Sequence, residues 1–203
     1  MGEVRKVCET MWKQNIRPAV LVLTVLTGFI YPLAVTLVAV VAFPGQALGS
    51  LLEGQGTVVG SALIGQANDD PRYFWPRPSA VDYMAGTTPE RLGSSGASNL
   101  APTSATWAAQ VQERAALLNA SNGLAPDTPV PPDMVQASGS GLDPDISPAA
   151  ARLQSGRVAA ARGLDPARVV ELVEQHVESR QFGLLGELRV NVLQLNLALD
   201  RLQ

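Results

Sequence analysis

The sequence predicts an α+β protein: one N-terminal transmembrane helix followed by a single extracytoplasmic mixed α/β domain. Three observations predict it. The 26 residues from Pro18 to Phe43 carry no charge and are almost all apolar, and a bilayer core of ~30 Å needs ~20 residues of helix. Basic residues Arg5, Lys6, Lys13 and Arg17 precede this run, while the next charge beyond it is Glu53. The remaining chain alternates short β-branched stretches with segments that carry helix-capping signals.

Residues 1–17 read as a cytoplasmic tail, because lysine and arginine flanking a span stay on the cytoplasmic side. Four of the 15 basic and two of the 18 acidic residues lie in this tail, leaving 11 basic and 16 acidic beyond it. A mildly acidic outer part argues against nucleic-acid binding. Residues 18–43 form the transmembrane helix. Secretory apolar regions are shorter, typically ~7–15 residues, and end in a small-residue cleavage site. Ala47-Leu48-Gly49 matches such a site only loosely, so the run reads as an uncleaved anchor. The single cysteine, Cys8, lies in the tail. It reads as an unmodified thiol rather than a palmitoylation site, and the outer domain must hold by burial without a disulfide.

Within the span, Thr24, Thr27, Gly28 and Tyr31 recur at i, i+3, i+4 and i+7. Small and polar residues in such a row let another membrane helix approach closely and offer hydrogen bonds to it. Pro32 extends the row and is expected to kink the helix. These five residues are the candidate partner-docking stripe.

Residues 44–56, with five residues from the Pro/Gly set, read as a linker. The domain proper is expected over 57–203. Residues 57–66 suggest two short strands with a turn. Three aromatics among three prolines over 71–80 exclude a regular helix. That segment is either a lid on the core or a contact surface. Residues 86–104 are a loop by composition. A helix should begin near Thr103 or Ser104, bury a face through Trp107, Val111, Arg114 or Ala115, and Leu118, and end at Asn122-Gly123. Met134 to Ala137 is a strand candidate. Ser147-Pro148 opens a helix that closes at Gly163, and Asp165-Pro166 opens another with Val169, Leu172, Val173 and His176 or Val177 on its apolar face. Residues 189–192 look extended and 193–202 helical.

Catalytic signals are sparse. A lone histidine, His176, and a lone cysteine on the other side of the span make a zinc site improbable. Ser138-Gly139-Ser140-Gly141 lacks the spacing of a hydrolase elbow. Asp143-Pro144-Asp145 lacks the ligand series of a calcium loop and reads as a turn with a capping role. Ser95-Gly96-Ala97-Ser98 offers at most a weak anion cradle. No phosphate-binding loop of the G-x-x-x-x-G-K-[ST] form occurs.

An ordered series of motifs resembles one family, the C subunit of the bacterial Kdp potassium-transporting ATPase (the KdpC family). The series comprises TGFIYPLAVT (Thr27 to Thr36), GSALIGQ (Gly60 to Gln66), YFWPRPSA (Tyr73 to Ala80) and SGASNLAP (Ser95 to Pro102). It continues with ASGSGLDPDISPAAA (Ala137 to Ala151), RVAAARGL (Arg157 to Leu164) and VNVLQLNLALD (Val190 to Asp200). The chain departs from the family pattern at Ala97, where a second glycine is usual, at Asp145, and at Leu188, where proline is usual.

The resemblance implies an accessory, non-catalytic subunit of a high-affinity ATP-driven potassium uptake complex in the bacterial inner membrane, needed for assembly and stability. Its implied partners are a P-type pump subunit, which uses the ATP, and a channel-like subunit that carries potassium. A small single-span subunit and membrane lipid complete the candidate partners. The family is described as a catalytic chaperone that raises the pump subunit's ATP affinity. The predicted topology opposes direct contact with cytosolic ATP, and no cofactor site is assigned to this chain. A membrane-anchored extracytoplasmic enzyme and a nucleotide-binding regulator are the alternative readings.

Overall fold

The computed structural model describes residues 2–82 and 94–202. Residues 86–93 of the expected loop, and the side chain of Cys8, lie outside the described residues. The chain divides into two compact units, Met1–Ser50 and Leu51–Gln203. The architecture is mixed α/β with one N-terminal apolar helix.

The first unit is helical throughout most of its length. Three α-helices, α1 (Gly2–Met11), α2 (Arg17–Val25) and α3 (Tyr31–Ala42), are joined by π turns at Trp12–Ile16 and Leu26–Ile30 into one unbroken stretch. Glu9–Ala42 is long and apolar enough to cross a membrane, and its most apolar stretch is not buried. Each π turn directly precedes the Arg17-Pro18 or Tyr31-Pro32 pair. A proline lacks the N–H that would bond the carbonyl four residues back, and its ring crowds that carbonyl. Here the chain widens instead: the Arg17 N–H bonds Trp12 O and the Tyr31 N–H bonds Leu26 O. The disturbance expected at Pro32 is thus taken up by a π turn. The helix stops at Phe43, just before Pro44, and a short helix α4 (Pro44–Ala47) follows.

The second unit opens with a hairpin, β1 (Leu51–Gly54) and β2 (Thr57–Ser61), paired antiparallel. This corrects the reading of the sequence, which put both strands after residue 56. Gln55 and Gly56, at φ +52° and +79°, make the tight turn, a left-handed pair suited to two-residue hairpins. Of the glycines that looked like linker punctuation, Gly54 ends β1 and Gly56 belongs to this turn.

A three-stranded antiparallel sheet has the order β3 (Asp145–Ile146), β5 (Arg189–Asn191), β4 (Val177–Glu178). Four helices build the remainder: α5 (Ala105–Ser121), α6 (Pro148–Arg162), α7 (Pro166–Gln175) and α8 (Val192–Asp200). Their starts follow side-chain caps. The oxygens of Ser104, Ser147, Asp165 and Asn191 accept the N–H groups of Trp107, Ala150, Ala167 and Gln194. Gly163 closes α6 at φ +66°, where glycine has no Cβ penalty.

The core draws on all of these elements. Phe74, Ile146, Val158, Val169, Val173, Val190, Leu195 and Leu199 are essentially inaccessible, and Ala150, Ala151 and Ala159 let neighbouring helices approach. Met134 to Ala137 is not a strand. Pro132–Met134 forms a 3₁₀ turn, because Pro131 and Pro132 supply no N–H for a ladder. Met134 and Val135 are nonetheless buried; their apolar character serves the core rather than strand pairing.

Candidate functional site

The stripe on the apolar helix is fully presented. Thr24, Thr27, Gly28, Tyr31 and Pro32 are all exposed, and apart from its own helix's backbone and adjoining residues nothing lies within 4 Å of the place a Cβ on Gly28 would occupy. The π turn at Leu26–Ile30 passes through the stripe. A widened turn holds more residues than the 3.6 of an α-helix, so a spacing of four runs more nearly along the axis there. Thr24, Gly28 and Pro32 then form one row, with Thr27 and Tyr31 beside it. The Thr27 hydroxyl donates to Leu23 O at 2.7 Å, so its proton is committed within its own helix and only its oxygen lone pairs remain for a partner.

In the second unit, the aromatic segment is a lid. Phe74 is fully buried in the core. Phe74 N–H donates to Asn196 Oδ1 at 2.9 Å and Asn196 Nδ2 donates to Phe74 O at 3.0 Å. Trp75 N–H donates to Gln154 Oε1 at 2.8 Å. Arg157 completes the attachment: Nη1 donates to Pro71 O and Tyr73 O, Nε to Asn122 Oδ1, and Nη2 to Gln154 Oε1. Its guanidinium lies 4.1 Å from the Trp75 ring centroid. Arg162 does the same one turn on, donating to Arg72 O and Asp200 while stacking 4.5 Å from Tyr73. An irregular, proline-rich segment cannot satisfy its own carbonyls by helix or ladder; here arginine and amide side chains do so.

The electrostatics follow from this arrangement. Burial pulls the Arg157 guanidinium down to about 10, with the charge of Asp70 opposing the shift; it stays charged at neutral pH. Hydrogen bonds from the Arg72 side chain and backbone hold the Asp70 carboxyl down at about 2. Burial raises the Asp145 carboxyl, against the pull of Arg189 at 3.1 Å.

The other residues singled out in the sequence are structural. The Gly96 N–H donates to Ser140 O at 2.8 Å and the Ser95 hydroxyl to the same carbonyl at 2.7 Å, so the Gly96 amide is not free to cradle an anion. Ser138 Oγ accepts the Gly141 N–H. His176 closes α7, its Nδ1 2.8 Å from Leu172 O. Asp143 accepts the Asp145 N–H and pairs with Arg77 at 2.6 Å, a turn-former's role. Among the described residues, no three His, Cys, Asp or Glu side chains are grouped to hold a metal ion.

Sequence reading passed over Gln154, Arg157 and Asn196. A signal was available: each is a polar residue on an otherwise apolar helix face, Gln154 and Arg157 among Ala150, Ala151 and Val158, and Asn196 beside Leu195 and Leu199.

Residues 14–201 match the family described as K+-transporting ATPase, c chain. The chain belongs to the KdpC family. A KdpC-family relative from Cereibacter sphaeroides (strain ATCC 17029 / ATH 2.4.9), described as a potassium-transporting ATPase KdpC subunit, is 54% identical over 189 residues, covering 92% of this chain and 96% of its own. Relatives of the same description from Herpetosiphon aurantiacus and Sorangium cellulosum are 53% and 54% identical, covering 91% and 92% of this chain and 93% and 97% of theirs. The span matched to the KdpC family includes both the helix stripe and every residue that fastens the aromatic lid.

Proposed function

We propose that this chain is the single-span accessory subunit of an ATP-driven potassium uptake complex, docked through its membrane helix to a channel-like subunit, with its domain outside the cell and its N-terminus inside. One observation carries the reading: an exposed row of small and polar residues on an apolar helix that has no partner among the described residues of its own unit. In lipid, a helix gains little from burying leucine against leucine, so close approach at Gly28 and lone pairs at Thr24 and Thr27 are what another span can use. Arg5, Lys6, Lys13 and Arg17 before the span support a cytoplasmic N-terminus.

With the domain outside, ATP is used by the pump subunit and potassium is the ion carried by the complex. This chain contributes assembly and stability, and any effect on the pump's ATP affinity passes through contacts between subunits. The acidic balance of the outer domain favours cations near it, over a range limited to about 10 Å by screening.

Two measurements test the reading. A phosphatase fused after Gln203 is active only outside the cytoplasm; cytoplasmic activity of a fluorescent fusion alone would reverse the topology. Co-purification from detergent should recover pump and channel-like subunits with this chain. Assembly of those subunits at full yield without it would end the accessory-subunit reading.

A further inference from the structure

The hairpin between β4 and β5 ends in an apolar tip that is largely exposed. Phe182 is 95% exposed, Leu184 76% and Leu185 56%. The tip is built, not loose. Gln181 and Leu185 exchange two backbone hydrogen bonds of 2.9 Å, and the Gly183 and Leu184 N–H groups bond Arg180 O and Gln181 O. Phe182 sits at φ +55° beside Gly183 at +74° and Gly186 at +80°. A left-handed phenylalanine is unfavourable, and here it serves to hold an apolar ring in solvent.

We infer that this tip, Phe182 with Leu184 and Leu185, dips into the lipid leaflet on the side where the domain lies. Four features of the chain favour lipid over a protein partner. Residues 181–186 carry no charge, and the neck is neutralised by the Arg180–Glu187 pair at 2.6 Å. Four N–H groups of the tip are already bonded internally, so entry to an apolar layer does not strip them of water. A stable protein interface needs roughly 20–30 residues a side, more than the short segment 181–186 supplies; a lipid interface sets no such minimum. Finally, residues 43–50 tether the domain to the apolar helix, a reach of at most about 28 Å. A domain of this size has a radius of gyration of ~15 Å. The short linker keeps the domain at a high effective concentration near the bilayer, so a small tip suffices.

The inference rests on the helix being anchored in a bilayer, and not on which side the domain faces. The test uses the full chain in lipid nanodiscs. In a Cys8→Ser background, an environment-sensitive dye is placed by Phe182→Cys, by Glu171→Cys on exposed α7, and by Phe29→Cys in the span. Nitroxide-labelled lipid should quench the dye at 182 several-fold more than at 171, with a blue-shifted emission. Equal, weak quenching at 182 and 171, with strong quenching at 29, would overturn the tip inference and leave the anchor intact. Weak quenching at 29 would overturn both. A dye at 182 that becomes shielded only when the other subunits are present, without lipid quenching, would assign the tip to a protein partner and overturn the lipid reading.

Discussion

Asn196 on α8 binds both backbone polar groups of Phe74, 122 residues earlier in the chain, accepting its N–H at 2.9 Å and donating to its carbonyl at 3.0 Å. The pair is buried, so neither group of Phe74 can turn to water instead. Asn196→Ala should destabilise the domain by about 2–4 kcal/mol, since each buried group left unpaired costs about 1–3 kcal/mol. Asn196→Asp keeps the acceptor but turns a buried carboxylate oxygen towards the Phe74 carbonyl, and should cost at least as much. Denaturant unfolding of the detergent-solubilised chain, followed by tryptophan fluorescence, measures both.

Arg157 holds Pro71 O, Tyr73 O and Asn122 while stacking on Trp75. Arg157→Met keeps the stem but leaves those acceptors without a donor, and should cost about 3 kcal/mol or more. Arg157→Lys keeps a charge but not the planar fork, and its effect should fall between wild type and Met. A Lys variant as stable as wild type would show that the fork geometry is irrelevant.

Gly141 sits at φ +72°, and a Cβ there would lie 2.5 Å from Val81 and 2.6 Å from Gly96 O. Gly141→Ala combines a left-handed penalty of about 1–2 kcal/mol with overpacking of about 1–3 kcal/mol. Gly139 has nothing within 4 Å and no positive φ, so Gly139→Ala should leave the melting temperature nearly unchanged.

The acid limb of stability should respond to Asp70. Its carboxyl is held at about 2, below the usual 3.8, by hydrogen bonds from Arg72. Its contribution is present above about pH 4 and is lost as pH falls towards 2, because the unfolded chain takes up the proton first. Glu174 is lowered by Arg152 and acts in the same sense. Asp145, raised by burial, acts in the opposite one. Asp70→Asn should therefore flatten the dependence of melting temperature on pH between 2 and 4; an unchanged slope would remove Asp70 from the account.

In the span, Gly28→Leu should lower the yield of assembled complex on co-purification by several-fold, because a side chain would fill a place where another backbone can approach. Thr27→Val should have a much smaller effect, since the Thr27 proton is already given to Leu23 O. Equal yields for Gly28→Leu and wild type would remove the stripe as a docking face.

Helix positions in the second unit were legible because capping is local. Ser104, Ser147, Asp165 and Gly163 act through neighbours two to four residues away, and the same neighbours are visible in the sequence. The short strands were not. Asp145–Ile146 and Val177–Glu178 are too brief to show any alternation, and both exist because Arg189–Asn191 lies between them. Leu51–Gly54 was hidden among glycines, of which Gly56 turned out to form its turn.

By itself the sequence determined the apolar helix, its charged flank, the capped helices and the family, all of which depend on neighbouring residues or on ordered motifs. Only the tertiary structure decided that the aromatic segment is a lid fastened by Gln154, Arg157 and Asn196, that the Gly96 amide is spent on Ser140, and that Phe182 stands in solvent. The reason is one of range. A cap is satisfied within a turn of its own residue, whereas the carbonyls of a proline-rich segment find donors only when folding brings distant helices beside them.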